Sequence, residues 1–80
     1  MANLDLVNLA KKNVTKAKGR LTRAKSKGAS LQVLIDLNRS REAAKAFELR
    51  VFQYQHTLED EGIEDLDSAA RFLREKGVTW

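Results

Sequence analysis

The chain has no cysteine and no proline, a single histidine, and four glycines among its 80 residues. Without cysteine it holds no disulfide and no thiolate metal site. With His56 as the lone histidine, a zinc site would depend mostly on carboxylates, and no serine is fixed beside His56 to make a nucleophilic pair. The lack of proline removes the strongest breaker of helices. No apolar run approaches the ~18 residues that a membrane span needs. No glycine-rich phosphate loop is present. The N-terminus lacks a basic segment followed by an apolar stretch, so a cytoplasmic chain without a secretion signal is expected. The last shortage is local: between Lys11 and Lys27 eight Lys and Arg occur with no acid among them.

What is present favours helix. Ala, Leu, Lys, Arg and Glu dominate, and these are good helix formers. Apolar residues are 42% and charged residues 32% of the chain, the balance of a folded domain rather than a disordered one. A chain of this size buries roughly 60% of its unfolded surface, so its stability margin is thin and self-association is one way to widen it. One domain spanning residues 1–80 is expected.

Charge divides the chain in two. Residues 1–41 carry ten Lys or Arg against Asp5 and Asp36, a net +8. Residues 42–80 carry five against nine acids, a net −4. Either the halves neutralise each other on folding or each faces a different partner.

Periodicity predicts three helices. The first runs from Leu4 to Ser26, with Asn3 as cap, Asp5 in the first turn and Gly28 as its stop. Its apolar seam is Val7, Ala10, Val14, Ala17, Leu21 and Ala24. Gly19 lies inside it, which suggests close approach of another backbone. The second helix runs from about Ser30 to Asp60, with Val33, Leu37, Ser40, Ala44, Phe47, Val51, Tyr54 and Leu58 in one row. Asn38-Arg39-Ser40 is the candidate break, because Ser40 can cap a fresh helix. Leu31 to Leu37 has strand-like composition, but a lone strand has no partner here. Glu61-Gly62 ends this helix. The third runs from Leu66 to Lys76, capped by Asp65 and closed by Gly77, with Leu66, Ala69 and Leu73 as its stripe. The short connection after Gly28 makes the first two helices antiparallel neighbours. The expected fold is all-α: a coiled-coil-like antiparallel hairpin of two long helices, with a short C-terminal helix packed on it.

Five cations carry the functional expectation. Lys12, Lys16, Arg20, Arg23 and Lys27 follow at steps of four, four, three and four, which aligns them on one side of the first helix. Like charges at such spacing repel by about 0.2–0.5 kcal/mol per pair. Bound phosphates would relieve that repulsion and release counterions. A nucleic acid, DNA or RNA, or an acidic protein surface is the expected partner. The alternative is a solvated face that only maintains solubility. Lys11, Lys18 and Lys25 form a second row beside the seam, where Lys11 is in reach of Glu48.

Leu34, Leu49 and Phe52 lie on the opposite side of the second helix from its main row. Either the third helix or another copy of the chain is expected to cover them. Phe47 and Tyr54 are core by spacing, which leaves Trp80 as the aromatic free to touch a partner; fraying, or packing onto the third helix, is its equal alternative. His56 is expected half-buried near Leu49 and Phe52. The acids from Glu59 to Asp67 lack the ligand spacing of a calcium loop and serve better as caps and charge partners. No cofactor is expected, and an enzyme ranks well below a binding or assembly protein. Ser68-Ala69-Ala70-Arg71-Phe72-Leu73-Arg74-Glu75-Lys76-Gly77-Val78-Thr79 resembles the first helix and turn of a helix-turn-helix. The resemblance stops before a recognition helix and carries no functional residue with it.

Overall fold

The computed structural model describes the backbone from Ala2 and the side chains from Leu6 to Trp80. The helix runs from Ala2 to Ser26 (α1), and the expected Asn3 cap and first-turn Asp5 lie outside the described side chains. Leu31–Gln53 forms α2, Gln55–Asp60 a short α3, and Leu66–Glu75 the C-terminal α4. No strand occurs among the described residues. The fold is the expected one: α1 and α2 pack as a hairpin, and the short C-terminal helix joins it.

Local chemistry sets the ends. Gly28 adopts φ +70°, the left-handed region that a side chain resists. There the Ala29 N–H donates to Ala24 C=O at 3.0 Å and the Gly28 N–H to Lys25 C=O at 3.2 Å. This is a Schellman turn, which uses two orphan carbonyls of α1 and reverses the chain. Gly62 and Gly77 close α3 and α4 in the same way. Ser30 caps α2 by accepting from the Val33 N–H at 3.4 Å, and Asp65 caps α4 by accepting from the Ser68 N–H at 3.0 Å.

The break in the second helix is not where the sequence suggests. Asn38-Arg39-Ser40 is continuous helix. Asn38 is held on the helix surface by Glu42 and Arg41: its Nδ2 donates to Glu42 Oε1 at 3.1 Å, and its Oδ1 accepts from Arg41 Nη2 at 2.9 Å. With its polar atoms so occupied, Asn38 does not compete for the backbone. The chain bends at Tyr54 instead (φ −106°, ψ 17°), where α2 gives way to α3. Leu58 thereby turns into the core beside Leu6, and Tyr54 stands at the corner, 37% exposed rather than buried.

The main core gathers Leu6, Val7 and Ala10 from α1, Phe47 and Val51 from α2, Leu58 from α3, and Ala69 and Leu73 from α4. Past Ala10 the buried cluster is Val14, Ala17 and Ala44, drawn from α1 and α2 alone. The molecule is therefore a thick end of four helices with a two-helix arm extending from it, 45 × 24 × 16 Å in all. Ala24, expected in the seam, is only half-buried toward the tip of that arm, and Val33 is exposed.

Candidate nucleic-acid interface

The seam of α1 fixes where its cations point. Burial of Val7, Ala10, Val14, Ala17 and Leu21 turns one side of the helix onto its neighbours. At about 100° per residue, Lys12, Lys16, Arg20, Arg23 and Lys27 fall together on a strip roughly a third of a turn away. All five are exposed, and so are Lys11, Lys18 and Lys25 on the other flank of the seam. The basic surface of α1 thus has two rows, with an uncharged band of Thr15, Gly19, Thr22 and Ser26 between them.

Among the described residues, no carboxylate neutralises the cations of the strip. Among the described residues, the side chains of Lys12, Lys16, Arg20, Arg23 and Lys27 make no hydrogen bond or ion pair. No ion pair joins Lys11 to Glu48 among the described residues either. The arm concentrates the imbalance. Residues 16–41 hold eight Lys and Arg against Asp36 alone, a net +7. The acids of residues 59–67 sit on α3, α4 and the loop between them, at the thick end.

Gly19 lies within this surface. A Cβ there would stand 3.3 Å from Arg23 Nη1, the mobile end of a side chain, and meets no other backbone. The close helix approach expected at Gly19 is absent; the guanidinium of Arg23 folds back over the glycine instead.

The three residues expected at a partner interface separate into two groups. Leu49 and Phe52 are 55% and 57% exposed, so α4 does not cover them. Instead α4 packs Ala69 and Leu73 into the main core, whose α2 members are Phe47 and Val51. Trp80 is engaged within the chain. Its ring lies 4.8 Å from that of Phe47 at 44°, and Arg74 sits 4.9 Å above it. Nothing in the sequence spacing signals that pairing, since it joins a tail to a helix 33 positions earlier.

His56 is exposed on α3, not half-buried. A cleft of about 420 Å³ opens between α1, α2 and α4, with Asn13, Ser40, Asp67, Arg74 and Trp80 on its walls. His56 is not among its lining residues. No cluster of three or more acidic or histidine side chains suited to a metal occurs among the described residues. No helix among them is long and apolar enough to cross a membrane. The titration of Asp65 is clearly moved: the Ser68 backbone N–H holds its carboxyl below the usual aspartate range, helped by the Ser68 hydroxyl and the charge of Arg71.

Compared with protein-family models, curated proteins and solved structures, the chain has no significant match.

Proposed function

We propose that this chain is a non-enzymatic cytoplasmic protein that binds nucleic acid, DNA or RNA, by laying the outer side of α1 along the phosphate backbone. The observation that supports this is the strip from Lys12 to Lys27: exposed, aligned and without a carboxylate partner among the described residues. The strip is about 22 Å long at 1.5 Å per residue. A duplex presents roughly a dozen phosphate charges over that length. The lysines and arginines act as phosphate clamps, which position a protein without reading sequence. No aromatic is needed for stacking, and the buried Phe47 supplies none.

Replacing Lys16, Arg20 and Arg23 together by alanine tests the reading. Alanine keeps the helix, so the far-ultraviolet circular dichroism stays unchanged. Binding to a short duplex and to a single strand, followed by fluorescence anisotropy, is lost. A triple variant that binds as tightly as the parent sinks the proposal.

A second reading draws on a different observation, the exposure of Leu49 and Phe52. It is a protein-interaction or assembly module that self-associates or docks on a larger complex. The basic strip then contacts an acidic protein surface.

A further inference from the structure

The outer side of α2 carries a second helical row that no described part of the chain covers. Ile35, Asn38, Glu42, Lys45, Leu49 and Phe52 recur at alternating steps of three and four. That is the spacing of a two-helix seam. All but Asn38 are exposed. Leu31, 73% exposed, prolongs the row toward the tip of the arm. The buried residues of α2, Ala44, Phe47 and Val51, lie on its other side, against α1 and α4. Large apolar side chains grouped at the two ends of one helical row exceed the isolated exposed leucine that soluble chains tolerate.

Charge selects the occupant. A partner helix reads a row through the charges at its centre. Here they are Glu42 and Lys45, one of each sign, with apolar residues at both ends. Such a row complements itself when reversed, which is the requirement for a two-fold contact between identical chains. Seat two copies of α2 antiparallel with Glu42 of one on Lys45 of the other. The same register then sets Ile35 on Phe52 and Asn38 on Leu49. Two-fold symmetry makes each of these contacts twice. Sliding by three residues puts Glu42 on Glu42, a like-charge clash at the axis. Sliding by seven puts Lys45 on Ile35 and leaves Glu42 opposite Asn38. The first register alone satisfies both the charges and the ends. It also keeps the α1 surfaces apart, since each lies on the far side of its own α2, where their repulsion is least.

We infer that this chain forms an antiparallel homodimer through the outer side of α2, with Glu42 of each copy paired to Lys45 of the other. The dimer is a four-helix arrangement, α1-α2-α2-α1, with a basic strip on each outer side. This inference does not depend on the nucleic-acid reading, because no residue of the row belongs to the strip.

Charge exchange provides the test. Glu42→Lys and Lys45→Glu each place like charges at the axis, at exposed positions where both residues are good helix formers. Sedimentation equilibrium of the wild type, at concentrations up to the millimolar range, should give a dimer. Each single variant should weaken it by about tenfold or more. An equal mixture of the two single variants should restore the dimer, because a chain with lysine at both positions then meets a chain with glutamate at both. The double variant Glu42→Lys/Lys45→Glu should also dimerise. Phe52→Asp should give monomer. A wild type that stays monomeric overturns the inference, as does a dimer equally strong in every variant, or single variants that weaken without recovery on mixing.

Discussion

The guanidinium of Arg50 donates through Nε to the backbone carbonyl of Thr79 at 2.7 Å, and through Nη1 to Gln53 Oε1 at 3.0 Å. The bond to Thr79 joins α2 to a tail that follows α4 by several residues. It sets Trp80 against Phe47, and Arg74 then covers the outer face of the indole. Trp80→Ala removes a half-buried ring from the edge of the main core. A fully buried Phe or Trp truncation costs about 3–5 kcal/mol. The half-buried site should cost about 2 kcal/mol, lowering Tm by roughly 10 °C. Arg50→Ala should cost less, about 1 kcal/mol, because its bond is partly solvated. Thermal unfolding by circular dichroism checks both, and an unchanged Tm in Trp80→Ala would show that the tail contributes nothing.

Gly19→Ala should stabilise the chain. Gly19 sits mid-helix, and the only obstacle to a Cβ is the movable Arg23 guanidinium. Replacing a mid-helix glycine by alanine gains about 1 kcal/mol, through a stiffer unfolded chain and a better helix. A Tm raised by roughly 4–8 °C is expected. A lower Tm would mean that Arg23 holds a conformation the fold requires.

Salt dependence should count the phosphate contacts. With five cations engaged, the logarithm of affinity falls with that of salt concentration at a slope of about −4.5. From about 50 to 200 mM salt the affinity then drops several hundredfold. Single alanine variants at Lys12, Lys16, Arg20, Arg23 and Lys27 should each reduce the slope by about 0.9. Isothermal titration with a short duplex at a series of salt concentrations measures it. A slope near zero in the parent is incompatible with phosphate contacts.

The cap of α4 should make stability sensitive to acid. The Asp65 carboxyl titrates lower in the folded chain than in the unfolded one, chiefly through the Ser68 N–H. Folding therefore favours the ionised form. That stabilisation is complete above the ordinary aspartate range, near about pH 4, and fades as pH falls through the lower folded value. Asp65→Asn keeps a capping oxygen but cannot ionise. Its Tm should decline less than the parent's between about pH 5 and pH 2. Parallel declines would show that other carboxylates dominate acid unfolding.

Most of the fold is legible in the sequence because local chemistry and tertiary packing agree. Gly28, Ser30, Asp65 and Gly77 each end or begin a helix through bonds that involve only near neighbours. The apolar row of α1 points inward because one neighbour, α2, runs its whole length. Tyr54 escapes such a reading for the opposite reason. The row Phe47, Val51, Tyr54, Leu58 keeps its period through the bend, so spacing alone carries no trace of it. Past the bend, Leu58 joins the buried cluster that holds Leu6, a contact between distant parts of the chain. Trp80 on Phe47 is invisible on the same grounds. At the candidate interface, exposure of the cations follows from the seam they flank. The exposure of Leu49 and Phe52 does not, because it turns on where α4 docks.

The arm past Ala17 is only two helices thick, and this gives the chain an uneven resistance to opening. With Val14, Ala17, Leu21 and Ala44 as its last buried anchors, the amides of residues 22–40 can exchange with deuterium through local separation, while those near Leu6 and Leu58 wait for global unfolding. Whatever settles on the arm supplies its missing layer. Slowed deuterium uptake there therefore reports occupancy directly, segment by segment, and tells a ligand on α1 from one on α2.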